Sequence, residues 1–335
     1  MSAFSLSRVQ APGEAEELRE RVELALERAT GLSTRVAAIR RRGSRASTSY
    51  PVEILTVELA TGAAFDVFLK DFGRSRLPKD AAAERREREL RVYEELLPGQ
   101  ELGTARLYGS CWDESAGRFW LMLELVDGKL LRDCNYEYWP LAAAWLGRLH
   151  GRFAGQRDRL QASRFLAQHD AAFFVEAAER ALRAVSGLSA ALAERLAAAL
   201  KGYDSMVAVL SRNAEVLVHG SYREQNVLVV RSSKPTRICP IDWELAAFGS
   251  STYDLAFLCD GFKGSQLDEL LDAYEQEAES FGRSRRERDE LLHEIDCFRL
   301  HKKVNSLGHL RQWHRPLKTA THVVDRVESL AGALS

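Results

Sequence analysis

The chain has 335 residues, 46% of them hydrophobic, with 47 Lys and Arg against 48 Asp and Glu for a formal net charge of −1. That length and apolar content supply core enough for two domains, and the balanced charge excludes wholesale nucleic-acid binding, which needs a basic surface. No apolar run reaches the ~20 residues that span a bilayer, the opening Met-Ser-Ala-Phe-Ser-Leu-Ser lacks a secretory pattern, and five scattered cysteines without a Cys-x-x-Cys pair fit reduced thiols in a cytoplasmic protein.

Taken in chain order, residues 14–30 predict an amphipathic helix with Leu18, Val22, Ala25 and Leu26 on one face, stopped by Gly31. Arg40 to Tyr50 reads as a turn in which three arginines precede Gly43, Ser44 and further small hydroxyl residues. Its backbone N–H groups are suited to an anion-binding concavity, although a basic loop is also often just solvated. Val52–Leu59 alternates as a strand, Thr61-Gly62 turns, and Phe65–Lys70 alternates again, so Lys70 ends a strand. A charged helix follows over 81–97, in which Glu84, Glu87 and Glu89 are each a possible i,i+4 partner for arginine.

A third strand, Phe119–Glu124, leads into Leu125-Val126-Asp127-Gly128, and the chain beyond is mostly helical. The domain boundary is therefore set there, giving an N-terminal domain 1–126 and a C-terminal domain 127–335. Helices are expected at 140–154, 170–186, 188–213, 264–281, 284–306 and 316–333, with a strand–loop–strand block between the third and fourth of them. His150 shares a helix face with Leu146 and Leu149 and reads as a packing histidine rather than a catalytic one.

The block 216–230, Val-Leu-Val-His-Gly-Ser-Tyr-Arg-Glu-Gln-Asn-Val-Leu-Val-Val, places a polar loop between two apolar strands, with Ser221 and Asn226 five residues apart. A second apolar run, Ile238–Ile241, ends on Asp242. An Asn and an Asp at the ends of adjacent strands offer the hard oxygen ligands that Mg²⁺ requires. These blocks, with Ile241-Asp242-Trp243-Glu244, Gly249 and Tyr253-Asp254-Leu255-Ala256, resemble the aminoglycoside phosphotransferase and choline kinase family over about residues 35–330. The loop of that family usually reads His-Gly-Asp-x-x-x-x-Asn, so Ser221 stands where the family has its general base.

The resemblance implies an α+β, protein-kinase-like two-lobed fold, with a small N-terminal lobe built on an antiparallel sheet and a larger, mostly α-helical C-terminal lobe. It implies ATP or another nucleoside triphosphate with Mg²⁺ as cofactors, and an enzyme that phosphorylates a hydroxyl group of a small molecule. Lys70 would pair the α/β-phosphates, oriented by Glu89, with Glu84 and Glu87 as competing neighbours. The turn at Gly43 and Ser44 would cover the phosphates, backbone groups near Glu124 and Val126 would hold adenine, and Asn226 and Asp242 would hold the metal. Asp254 would buttress the loop backbone, and its spacing from Ser251 also fits a capping box. His219 would support the loop from behind. Asp71-Phe72-Gly73 spells the protein-kinase metal motif but precedes the loop in chain order, so it is a coincidence.

A serine hydroxyl can orient an acceptor hydroxyl but cannot take its proton at neutral pH, and general-base help is worth about 10²–10⁴-fold. Catalysis is therefore expected to be altered or weakened, with Glu224 as a substitute base and Arg223 against the γ-phosphate. The alternative is a pseudokinase that binds a nucleotide or small molecule without transfer. The stretch 301–324 holds five Lys or Arg, four His and no acid, which favours a neutral or anionic acceptor over a polycation, with Trp313 and His314 as possible lining residues. A monomer or homodimer is expected.

Overall fold

The structure, a computed structural model, describes residues 14–31, 34–44, 50–74, 80–310 and 316–334. The chain divides into two compact units, one of residues 1–96 and 104–127 and the other of residues 97–103 and 128–335. Among the described residues no helix is long and apolar enough to cross a membrane.

The first unit is helix α1 (Glu14–Thr30) and an antiparallel five-stranded sheet, with helix α2 (Ala82–Arg91) falling in sequence between the third and fourth strands. The strands are β1 (Val36–Gly43), β2 (Val52–Leu59), β3 (Ala64–Asp71), β4 (Leu107–Asp113) and β5 (Arg118–Glu124), in the order β1-β2-β3-β5-β4. Period-two alternation puts Leu55 and Val57 of β2 and Val67 and Leu69 of β3 on one face. The helical stripe Leu18, Val22, Ala25 and Leu26 of α1 packs into the same cluster. Strands β2 and β3 follow the expected bounds closely.

Two parts of this unit differ from the sequence reading. Arg40–Gly43 is not a turn but the end of β1, paired residue by residue with Thr56, Leu55, Ile54 and Glu53 of β2. Strand β4 is absent from the sequence reading, because Gly109 interrupts its alternation and marks a register shift against β5.

The second unit is largely helical. Helices α3 (Trp139–Phe153) and α9 (Gly264–Glu279) lie in close contact because α3 carries glycines on the facing side. A Cβ at Gly147 would come 2.3 Å from the Tyr274 carbonyl oxygen, and one at Gly151 would come 2.6 Å from Phe281 Cβ. Between them in sequence run α4 (Arg157–Ala162), α5 (Ala171–Ser186), α6 (Ala190–Ala199), α7 (Tyr203–Arg212) and α8 (Ser251–Leu258). The helix expected over 188–213 is in fact α6 and α7, broken at Leu200–Gly202, where glycine weakens helix propensity. Helix α10 (Arg288–Leu307) starts later than expected because Arg283, Arg285 and Arg286 hold the preceding segment as a loop on Glu215, Glu275 and Glu294. Helix α11 (Pro316–Leu334) follows.

Two small sheets carry the strand–loop–strand block. Strands β6 (Lys129–Leu130), β9 (Val227–Val230) and β10 (Arg237–Pro240) form one, in the order β10-β9-β6. Strands β7 (Ala167–Gln168), β8 (Val216–Val218) and β11 (Ala247–Gly249) form the other, in the order β7-β11-β8. The fold is thus α+β, with an antiparallel sheet in the N-terminal part and a helical C-terminal part.

Candidate active site

The polar loop between β8 and β9 is fixed from below by a buried carboxylate. Asp254 of α8 is fully buried and accepts the backbone N–H of His219 at 2.6 Å and of Gly220 at 3.0 Å. Gly220 sits at φ +77°, and a Cβ there would lie 1.8 Å from the Leu245 carbonyl oxygen, so only glycine fits this turn. Asp254 forms no capping box. The cap of α8 is Ser250, whose hydroxyl accepts the Thr252 N–H at 3.3 Å and donates to Glu294 at 2.8 Å.

His219 is locked as a support. Its Nε2 donates to the Ile241 carbonyl at 3.0 Å, which leaves Nδ1 to accept the Ser221 N–H at 3.3 Å. Full burial pushes its pKa down, with Asp254 and Asp242 pulling the other way, so the ring is neutral and committed. His150 is likewise fully buried and depressed by desolvation, with Nδ1 3.1 Å from the Tyr274 hydroxyl and Nε2 3.6 Å from Asp254.

Ser221 is buried, and its Oγ lies 3.1 Å from the Asn226 side-chain nitrogen, which also donates to the Ser221 carbonyl at 3.0 Å. With its amide nitrogen spent on Ser221, Asn226 keeps Oδ1 for another partner. The Ile241 N–H donates to the Asn226 carbonyl at 2.9 Å, which continues the β9–β10 ladder and puts Asp242 one residue beyond. Asp242 adopts a left-handed conformation, φ 68° and ψ 64°, a strained choice for a residue with a side chain. Its carboxylate and that of Glu244 approach within 4.8 Å of one another. Two carboxylates and one amide oxygen at the open end of one hairpin are a donor set that suits a hard divalent cation.

Arg223 and Glu224 complete the loop. The Arg223 N–H bonds the Ser221 carbonyl at 2.9 Å, and its carbonyl receives the Asn226 N–H at 2.8 Å. The Arg223 guanidinium lies 4.9 Å from the Phe257 ring centroid, with its Nε buried and unbonded. Among the described residues the Glu224 carboxylate has no ion pair, and its carbonyl accepts the Arg132 N–H at 3.2 Å.

In the first unit, Lys70 and Glu89 are both buried and meet, Nζ to Oε2, at 2.6 Å. Of the three glutamates considered, Glu89 is the one on the inward face of α2. Phe72 and Tyr50 place their rings 5.1 and 5.7 Å from the ammonium. Asp71 is taken up locally, accepting the Gly73 N–H at 3.0 Å.

The phosphate-covering turn is different from the expectation. Gly43 is a strand residue, and the Ser44 N–H closes the hairpin on the Val52 carbonyl at 2.9 Å. Residues 45–49, the rest of the expected turn, lie outside the described residues. The three arginines offer no spare charge: Arg40 pairs with Glu58, Arg41 with Glu53 at 2.6 Å, and Arg42 with Asp66 at 3.4 Å. Glu124 ends β5 with its N–H on the Arg106 carbonyl at 2.8 Å, and Val126 follows outside regular structure.

His301, at the head of the basic stretch 301–324, is buried against the Tyr203 hydroxyl at 2.8 Å, and burial lowers its pKa to about 3. It contributes no charge. Trp313 and His314 lie outside the described residues. Sequence reasoning missed Glu244 as a site carboxylate. Its position two residues after Asp242, both ahead of β11, was the available signal.

The model of the phosphotransferase enzyme family matches residues 55–291. No curated protein sequence matches the chain. Among solved structures, a GDP complex of wild-type aminoglycoside 2'-phosphotransferase-IIIa has a TM-score of 0.60 at 14% identity, covering 94% of this chain and 99% of that one. A choline kinase from Cryptosporidium parvum gives 0.59 at 14% identity, covering 88% and 90%. Macrolide 2'-phosphotransferase MphH from Brachybacterium faecium gives 0.52 at 17% identity, covering 93% and 98%. At these identities the likeness is one of fold.

Proposed function

The chain belongs to the phosphotransferase enzyme family, and on that premise we propose that it transfers a phosphoryl group from Mg·ATP, or another Mg-bound nucleoside triphosphate, to a hydroxyl of a small molecule. The observation that carries this reading is the β9–β10 hairpin end. Asn226 is anchored through its nitrogen on Ser221 with Oδ1 left over, and Asp242 is held in a strained conformation beside Glu244.

The nucleotide would bring the phosphoryl group, and its metal would neutralise the charge that develops during transfer. Asn226 and Asp242, aided by Glu244, would hold the metal. The buried Lys70–Glu89 pair would present an oriented ammonium to the phosphates, and Glu124 and Val126 would offer backbone groups to the base. Phosphoryl transfer is dominated by positioning and charge, so these residues would do most of the work. The Ser221 hydroxyl would hold the acceptor oxygen in line. Glu224, with a carboxylate unpaired among the described residues and three positions along the same loop, would take the proton. A monomeric or homodimeric cytoplasmic protein acting on a neutral or anionic acceptor fits this reading.

The second reading, a pseudokinase, is favoured by one observation: Ser221 replaces the usual base. Transfer from labelled ATP across a panel of hydroxyl compounds, in wild type and in the Ser221→Asp and Glu224→Gln variants, separates the two. Transfer in wild type that rises with Ser221→Asp and falls with Glu224→Gln supports the enzyme. Nucleotide binding by thermal shift with no transfer in any form supports the pseudokinase, and no Mg·ATP-dependent shift removes both.

A further inference from the structure

Four cationic side chains gather beside the loop in the second unit. The Lys302 ammonium of α10 lies 4.5 Å from the Phe257 ring centroid, the same ring that the Arg223 guanidinium overlies at 4.9 Å. Lys302 and Lys303 share one carboxylate, Asp260, at 2.8 and 3.6 Å. Arg299 satisfies itself elsewhere, on Asp296 and the Cys259 carbonyl, at 2.8 and 2.7 Å. Among the described residues Lys302 and Lys303 thus share one ion-pair partner, Asp260, and Arg223 has none.

Such an arrangement costs free energy in the unliganded protein, because like charges on one ring repel in a partly buried setting. Burial and the nearby Arg223 both push the Lys302 pKa down, and Asp260 opposes them. Arg223 also keeps a buried Nε–H with no acceptor, and buried donors of this kind are normally satisfied. A guanidinium and an ammonium set against one aromatic ring offer the charged donors that recognise an oxyanion. Arg223 is two residues from Ser221 in the same loop, its backbone N–H on the Ser221 carbonyl, so an oxyanion held by its side chain would bind at the loop that carries the position proposed for the acceptor hydroxyl.

We propose that Arg223 and Lys302, with Phe257 as their shared base, form the acceptor subsite and select a hydroxyl compound that bears a carboxylate or phosphate group. This rests on the phosphotransferase reading above and names its substrate class. A polycationic acceptor would meet two positive side chains at the entry to the loop and would be excluded.

The test uses full-length protein saturated with a Mg·ATP analogue that does not hydrolyse, and four three-carbon probes: glycerate, glycerol 3-phosphate, glycerol and 2-amino-1,3-propanediol. Binding is read by saturation-transfer NMR, alongside transfer from ATP. The two anionic probes are expected to bind, and their relative strength distinguishes carboxylate from phosphate. Lys302→Gln should weaken them about tenfold or more, the worth of one charge-assisted bond, Lys302→Arg should restore most of it, and the affinity for Mg·ATP should not move. Preference for the neutral or amino probe, or binding of none, overturns the subsite while leaving phosphotransfer intact. A Lys302→Gln effect on Mg·ATP alone assigns the cations to the nucleotide and overturns it too. Absence of any thermal shift with Mg·ATP overturns the parent reading, and the subsite with it.

Discussion

Replacing Asp254 by asparagine tests how the loop is held, because the change is nearly isosteric and alters only charge and hydrogen-bond polarity. In the native protein both carboxylate oxygens accept backbone N–H groups, from His219 and Gly220. The substituted amide would keep one oxygen acceptor and turn its –NH₂ toward the other N–H. One charge-assisted bond is lost, worth about 1.5–3 kcal/mol, and one buried donor is left unsatisfied at a further cost of about 1–3 kcal/mol. These overlap, so about 3 kcal/mol is a fair expectation for a fully buried site. For a domain of roughly 200 residues each kcal/mol moves Tm by about 2–4 °C, which predicts a fall of about 6–12 °C in thermal unfolding. Amide hydrogen exchange should rise selectively at His219 and Gly220. A Tm within about 1 °C of wild type, with unchanged protection at those two amides, would refute the claim that Asp254 shapes the loop.

Gly220→Ala should be worse than Asp254→Asn, since the φ of +77° costs an L-residue about 1–2 kcal/mol and the new Cβ would press on the Leu245 carbonyl at 1.8 Å. Soluble protein melting within about 2 °C of wild type would contradict that. Three histidines, 150, 219 and 301, are buried neutral with lowered pKa values, His301 to about 3. In the unfolded chain they protonate near their ordinary value of about 6.5, so the unfolded state binds the extra protons and stability must fall as pH drops below about 6.5, by up to about 1.4 kcal/mol per pH unit for each. Melting temperatures between about pH 6.5 and pH 5, above the range of ordinary carboxylates, check this, and His301→Phe should flatten the slope. Glu89→Gln removes the charge that orients the Lys70 ammonium. Nucleotide affinity measured by calorimetry should drop about tenfold, and an unaltered affinity would detach this pair from nucleotide binding.

Much of the geometry of the second unit's candidate site could be read from sequence because its residues sit on a short, continuous loop. The interval from Ser221 to Asn226 and the apolar run ending at Asp242 are local patterns, and the hairpin that joins them follows from alternation. The Lys70–Glu89 meeting was legible only as a choice among three glutamates, since which face of α2 turns inward depends on packing that no local pattern encodes. The arginines at 40–42 misled for a related reason. Three adjacent cations look like a phosphate trap until a strand distributes them to Glu58, Glu53 and Asp66. The partnership of Arg223 with Lys302 joins residues far apart in the chain through a third, Phe257, and could not have been found without the fold.

The stretch 97–103 groups with the second unit although the residues on either side of it belong to the first. The Leu102 carbonyl receives the Trp145 indole N–H, and the Gly103 carbonyl receives Arg237 Nε at 2.7 Å. A scissor cut near Gly128 would therefore not yield a self-sufficient C-terminal fragment, for that piece would carry an indole and a guanidinium stripped of their acceptors. Chimaeras that exchange the first unit between relatives would do better to transplant 1–96 and 104–127 while leaving the intervening residues 97–103 native.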